Sequence, residues 1–332
     1  MEEERKKAVE ELQSSEERLE ILFEFAPDGY YLSDLRGNFI DGNKAAEKIV
    51  GYRREELIGK SFLKLKLLSP KQILKAAALL AKNLSGQPTG PDEFTLNRKD
   101  GSQISLGIRT FPVKIEGKTL VLGIARDITE RKKAEGQLEH SFINLAETVS
   151  RAMETRDPYT AGHQRRVAKM ARLVGEKMGL DENRLMGLYI GGLLHDIGKV
   201  STPESILSKP GKLSDEEWAL IRAHAKRGSE ILEGAYFPWP VADMVLHHHE
   251  RMDGSGYPDG ISGDELSLET RILGVCDVVE AMSSFRPYRP ARSLLEILRD
   301  LREGRGTKYD PAVVDIMLEI IESGEFDRGV EA

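Results

Sequence analysis

Six of the seven histidines fall between His163 and His249, interleaved with carboxylates. His163 is followed by the pair His195-Asp196, then His224, the run His247-His248-His249-Glu250, and finally Asp277. His195 and Asp196 lie in the apolar stretch Leu193-Leu194-His195-Asp196-Ile197, which reads as a helix interior. A lone ionisable side chain there is costly to bury. A satisfied core His–Asp pair is one resolution. A metal shared with the other histidines and Asp277 is the other, since imidazole and carboxylate are ligands for divalent transition metals. The set is too rich for one ion and points to a two-metal site, a type that mostly hydrolyses phosphate esters or peptides. The fold must therefore bring five separated segments to one place.

The rest of the chain divides around this region. Residues 1–25 read as a charged amphipathic helix with Leu12, Leu19, Leu22 and Phe23 near helical spacing. From residue 26 the pattern changes. Gly29–Ser33 and Asn38–Asp41 flank the turn Asp34-Leu-Arg-Gly37 as a hairpin, and short helices follow over 44–50 and 54–58. A helix over 71–84 is ended by the loop Ser85–Asp92, which holds two Gly and two Pro. Strands are expected over 93–98, 103–113 and 119–128, with Asp100-Gly101 and Glu116-Gly117 in the turns. Ile104, Leu106 and Ile108 alternate with small or polar residues, so one face of this sheet is buried.

Residues 129–153 read as a long connecting helix. Leu138, Phe142, Leu145, Val149 and Ala152 repeat at spacings of 4, 3, 4 and 3. Such an a/d seam favours a parallel two-helix coiled coil. A helix packed on its own domain is the alternative. Helices are then expected over 161–178, 181–194, 214–232, 240–249, 294–302 and 311–321, with Ser214 an N-cap candidate.

Bulk properties narrow the setting. The net charge of −7 argues against broad nucleic-acid binding, which needs a basic surface. No apolar run is long enough to span a membrane, and the N-terminus lacks the apolar core of a signal peptide. The single cysteine, Cys276, rules out an intramolecular disulfide framework. The expected location is cytoplasmic.

The first half resembles a PAS domain over roughly residues 16–130. The resemblance rests on Ala26-Pro-Asp-Gly29, Asn43-Lys-Ala-Ala46, Gly51-Tyr-Arg-Arg-Glu-Glu-Leu-Ile-Gly59 and Asp127-Ile-Thr129. It implies an α+β sensory or dimerising module with an antiparallel sheet and short helices. No histidine precedes His140, and no cysteine occurs there. Histidine-ligated haem and a flavin–cysteine adduct are therefore not expected, and the PAS ligand is unknown.

The second half resembles the HD-GYP subgroup of HD-domain phosphohydrolases, an all-α helical bundle, over about residues 150–325. The segments that carry it are Glu154-Thr-Arg-Asp-Pro-Tyr-Thr-Ala-Gly-His163, His195-Asp-Ile-Gly-Lys199 and Pro203–Gly211. His224, His248-His-Glu-Arg-Met-Asp-Gly-Ser-Gly-Tyr-Pro258, Asp277 and Ser284-Phe-Arg-Pro-Tyr288 complete the match. The domain plan is thus an N-terminal helix 1–25, a PAS domain 26–128, a connecting helix 129–153 and an HD-GYP domain 154–325.

The resemblance implies a metal-dependent phosphodiesterase acting on cyclic di-GMP, giving linear pGpG or GMP. Another cyclic dinucleotide as substrate, or a catalytically weak receptor, are the rival readings. One ion would take His163, His195, Asp196 and Asp277. The second would take Asp196, His224, His248 and His249. The family favours iron or manganese. Some members hold a third metal through a Glu where this chain has Tyr159, so two metals are expected. Lys199 and Asp196 are the catalytic candidates, with Lys199 placed to neutralise or protonate the leaving group. Arg286, Arg289, Lys199 and Tyr257 are the substrate-binding candidates. Glu154, Asp157, Thr160 and Glu250 are candidates to support the ligands, and His247 and His140 are read as incidental. A homodimer through the connecting helix and PAS domain is expected. A partner protein at the Gly256-Tyr257-Pro258 loop is a further expectation.

Overall fold

The computed structural model describes residues 1–332 apart from Leu63, 157–160, 285–290 and 326–332. Two compact units result, Met1–Leu138 and Glu139–Ala332.

The first unit is an α+β fold, the architecture that the PAS resemblance implies. Helix α1 (Glu2–Glu24) buries none of its residues. Strands β1 (Gly29–Ser33) and β2 (Phe39–Gly42) form the expected hairpin. Helices α2 (Lys44–Val50), α3 (Arg54–Leu57) and α4 (Pro70–Leu84) follow. Strands β3 (Thr89–Asn97), β4 (Gln103–Ile115) and β5 (Lys118–Asp127) complete an antiparallel sheet in the order β2-β1-β5-β4-β3. Asn43 explains one motif. Its Oδ1 accepts from the N–H groups of Tyr30 and Ala46, and its Nδ2 donates to the carbonyls of Phe23 and Asp28. One buried side chain thus caps α2 and ties it to β1. Asp127-Ile-Thr129 works similarly, with Asp127 accepting from Thr129 N and Thr129 Oγ1 accepting from Ser105 N. Leu106, Ile104, Phe94, Leu96 and Leu67 fill the core, which retains a largely apolar cavity of about 110 Å³.

The expected loop 85–92 is a correction. Strand β3 starts at Thr89, and its register to β4 shifts between Thr89 and Asp92. Pro91 lacks the N–H that a ladder needs, but β3 is an edge strand, and the shift lets the proline sit within it.

Helix α5 (Thr129–Glu154) enters the second unit, which is helical: α6 (His163–Lys177), α7 (Glu182–Leu194), α8 (Glu204–Leu207) and α9 (Asp215–Arg222). They are followed by α10 (His224–Leu232), α11 (Val241–His247), α12 (Leu268–Ser283), α13 (Leu294–Gly304) and α14 (Pro311–Glu322). Helices α7 and α12 are apolar on most faces and form the middle of the core with Val167, Val174, Met244 and Met317. The a/d seam of α5 divides. Phe142 and Val149 pack against this core with Ala146, whereas Leu138 is 74% and Leu145 63% exposed.

Two expected helices are shorter than the periodicity predicts. The stretch 214–232 is two helices meeting at Ala223, where the His224 ring folds back onto the carbonyl of Ile221. The helix over 240–249 ends at His247, leaving His248 and His249 beyond it. Among the described residues, no helix is long and apolar enough to cross a membrane.

Candidate metal centre

The centre is assembled at helix ends rather than inside helices. His195 is the C-cap of α7, and Asp196 starts the short 3-10 turn Ile197–Ser201, which corrects the expectation of a helix interior. His163 opens α6 and His224 opens α10, while His248 and His249 follow α11. Asp277 alone projects from mid-helix, on α12. Helix ends leave backbone groups without intrahelical partners, and the histidines use them. The Nδ1 atoms of His195, His224 and His248 lie 2.8, 2.5 and 2.7 Å from the carbonyls of Gly192, Ile221 and Val245. A carbonyl only accepts, so each Nδ1 carries the proton and each Nε2 keeps its lone pair for the centre.

Five histidines and two aspartates converge as the sequence predicts. His163 Nε2 lies 3.2 Å from Asp277 Oδ1 and 3.6 Å from Asp196 Oδ2. His195 Nε2 lies 3.4 Å from Asp196 Oδ2, and His224 Nε2 lies 3.4 Å from Asp196 Oδ1. The two oxygens of Asp196 thus face different histidines. His224 and His248 approach Nε2 to Nε2 at 3.3 Å. Among the described residues three groupings have the reach to hold an ion: His163–His195–Asp277, His224–His248–His249 and His195–Asp196–His248.

These residues fit divalent metal. The Nε2 atoms of His163 and His195 are buried without a hydrogen bond and face the Asp196 and Asp277 carboxylates, a donor set that a divalent ion would satisfy. Burial, reinforced by the neighbouring His195 and His224, pushes His248 down to about 3. Burial and His248 hold His249 well below the usual imidazole range. Burial alone would raise Asp196, but Lys199 and His195 outweigh it and keep its carboxyl well below the usual range. His163 and His195 do the same for Asp277 against its burial. His248, His249, Asp196 and Asp277 are thus held in the forms that bind metal, neutral imidazole and ionised carboxylate.

Lys199 Nζ lies 2.6 Å from Asp196 Oδ2. Tyr257 stacks on His249 with ring centroids 4.7 Å apart. The cavity above the centre, about 350 Å³, is lined by Asp196, Lys199, His224, His249, Tyr257 and Asp277, with Trp218, Arg251, Arg292 and Tyr309 also on its wall. His247 is turned away, its Nδ1 on Asp243 and its Nε2 on Asp259. His140 is exposed on α5.

Glu250 corrects another expectation. It supports no imidazole; its Oε1 accepts from the N–H groups of Asp259 and Gly260, at 2.7 and 2.9 Å, and so braces the loop bearing Tyr257. Gly256 lets that loop lie flat, since a Cβ there would come within 2.3 Å of Glu250 Cα. Arg286, Arg289, Asp157, Tyr159 and Thr160 lie outside the described residues.

The support missed by sequence reading is Glu280. Its Oε2 bonds His163 Nδ1, and its Oε1 accepts from Arg166 Nε at 2.7 Å and Ser284 Oγ at 2.7 Å. Helical spacing held the signal: Glu280 stands three residues beyond Asp277, and Arg166 three beyond His163.

Comparison with known families agrees with this geometry. The HD-domain model matches residues 147–313, half of the chain. The chain belongs to the HD-domain family. A PAS-domain model matches residues 27–130. The HD domain carries divalent-metal binding, in keeping with the His/Asp groupings. The chain is 41% identical over 172 residues to the cyclic di-GMP phosphodiesterase response regulator RpfG of Xanthomonas campestris pv. campestris, covering 51% of this chain and 46% of that protein. It is 36% identical over 205 residues to the 3'3'-cGAMP-specific phosphodiesterase 3 of Vibrio cholerae, covering 59% and 45%. The chain therefore spans about half the length of these curated relatives. A solved cyclic GMP-AMP specific phosphodiesterase structure from Vibrio cholerae aligns with a TM-score of 0.46 at 20% identity, over 57% of this chain and 51% of that one.

Proposed function

We propose that this chain is a metal-dependent phosphodiesterase that opens a cyclic dinucleotide, with cyclic di-GMP as substrate, under control of its PAS domain. The observation that carries the reading is Asp196, whose two oxygens face separate histidines of one buried cluster. His163, His195, Asp196 and Asp277 would hold one ion, and Asp196, His224, His248 and His249 a second, iron or manganese. Bound there, such ions neutralise phosphodiester charge and acidify water. The chain's own groups supply the rest. Asp196 stays ionised, and Lys199 Nζ, held beside it, is placed to donate a proton to the departing 3′ oxygen. Tyr257, stacked on His249, walls the cavity and is assigned to contact substrate. Arg286 and Arg289 are assigned to substrate phosphate, for which a guanidinium fork is suited.

A second substrate, 3'3'-cGAMP, is favoured by the names of several Vibrio cholerae relatives. Exposed Leu138 and Leu145, one heptad apart on α5, support a homodimer through that helix. The protein is assigned to the cytoplasm.

The test is product analysis after anaerobic purification and loading with Fe(II) or Mn(II). Linear dinucleotide or mononucleotide is expected from cyclic di-GMP. Tight binding with no product under any metal would refute the enzymatic reading. Asp196→Ala is expected to lose both metals and at least 100-fold in rate together; a variant that keeps two metals per chain would refute the shared-ligand assignment.

A further inference from the structure

A cyclic dinucleotide carries two purines and two phosphates on one ring. The cavity over the metal centre, about 350 Å³, lies at the low end of the roughly 300–1,000 Å³ range of small-ligand pockets. It suits one nucleotide of such a substrate. A larger groove of about 750 Å³ adjoins it on the outer face of α9 and α10 and shares Trp218 and Tyr257 as its walls.

The shared wall is a stack that runs outward from the centre. Tyr257 lies on His249 at 4.7 Å, and the Arg222 guanidinium lies 5.5 Å from the Tyr257 ring. Trp218 stands one turn before Arg222 on α9 and is 44% exposed. Lys226 follows on α10. Among the described residues neither Arg222 nor Lys226 forms an ion pair, whereas Arg227 is committed to the Ser201 carbonyl and hydroxyl. Asp215 and Glu230 also line the groove. A chain with net charge −7 thus presents an aromatic plane and two cations without ion pairs among the described residues, one of them over the Tyr257 ring, beside the proposed site of phosphodiester chemistry.

The geometry points to this groove as the subsite for the second, non-scissile nucleotide. Trp218 stacks on its purine, and Arg222 and Lys226 take its phosphate. The inference rests on the cyclic-dinucleotide reading of the metal centre. Stacking is indifferent to which base it meets, so the groove selects for a dinucleotide over a small diester without choosing its bases.

The test compares cyclic di-GMP with bis(p-nitrophenyl) phosphate, which is small enough for the metal cavity alone, on the Mn(II)-loaded full chain; Trp218 lines both spaces and Lys226 only the groove, so Lys226→Glu is the sharper discriminator. Trp218→Ala and Lys226→Glu are each expected to raise KM for cyclic di-GMP roughly 5- to 100-fold. That loss should exceed the loss on the small diester at least 5-fold, and Trp218→Phe should restore most of it. Calorimetry on the same proteins should show weaker binding of cyclic di-GMP and a smaller change for GMP. Equal losses on both substrates, or an unchanged KM for cyclic di-GMP, would overturn the subsite; the latter would leave the groove to a protein partner. If wild type binds cyclic di-GMP without cleaving it, only the catalytic reading fails, and the binding data still decide the groove. If wild type cleaves the small diester and does not bind cyclic di-GMP, the substrate reading and the subsite fall together.

Discussion

Glu280 shows how one residue decides the state of another. Its carboxylate holds the Nδ1 side of His163 and is itself held by Arg166 and Ser284. Burial would raise its pKa, but His163, Ser284 and Arg166 bring it down to about 2. Removing such a support typically costs about 10- to 100-fold in metal affinity or activity. Glu280→Ala should therefore weaken metal binding by that factor, while Glu280→Gln, which keeps an acceptor, should lose less; competition against a chelator reads both. The same residues set the pH dependence of the metal-free protein. His248 sits at about 3 instead of 6.5, so below pH 6.5 the unfolded chain takes up a proton that the native state refuses, and stability falls. Glu280, at about 2 instead of 4.5, adds a loss between those values as pH falls. His163 works on the other side: burial would lower it, but the Asp277 and Glu280 carboxylates lift it to about 9, and its contribution fades as pH rises from 6.5 to 9. The chelation-sensitive melting transition should thus peak near pH 6.5 in the chelated protein. A Tm rising steadily from pH 5 to 9 would contradict this.

At the scale of elements, the centre depends on the 3-10 turn Ile197–Ser201, which joins Asp196 to Lys199 and lies against the start of α10. Gly198 makes that contact possible. A Cβ there would fall 1.9 Å from the His224 carbonyl oxygen and 2.5 Å from Gly228 N, both backbone atoms. Gly198→Ala must push the turn off α10 and separate Asp196 from His224. We expect a destabilisation of about 1–3 kcal/mol, the usual range for overpacking, with reduced metal content measured by elemental analysis. Full metal occupancy in a normally stable variant would show that the turn can move freely. The turn just after α5 is tied to the same 3-10 turn, since Arg156 Nη1 donates to the Val200 carbonyl, and Tyr189 on α7 donates to Glu147 of α5 at 2.8 Å. Within this unit α5 and the residues just after it thus touch both the turn that carries Lys199 and the helix capped by His195.

For the whole molecule, the a/d repeat in α5 serves two ends at once. Phe142 stacks edge-on to Phe237 at 6.0 Å within the helical unit, while Leu138 and Leu145 remain in solvent. If they close a dimer, Leu138→Glu together with Leu145→Glu should shift light-scattering mass from dimer to monomer, because like charges in an a/d seam are not accommodated. An unchanged mass would place the dimer contact elsewhere. The sequence determined the division into a β-rich first half and a histidine-bearing helical second half, because periodicity is local and survives without a partner. It also marked, through its resemblance to the HD-GYP subgroup, the histidines and aspartates that come together in the helical unit. What it could not determine was how those ligands are held. That His195, Asp196, His224, His248 and His249 stand at helix ends depends on where side chains compete with the backbone for carbonyls, and the Ala223 break is one such outcome. That Glu280 rather than Glu250 supports an imidazole depends on α12 packing beside α6, a contact between residues more than a hundred positions apart. Only the tertiary structure decides such pairings, because burial and proximity are set when separate helices pack and not by any one of them.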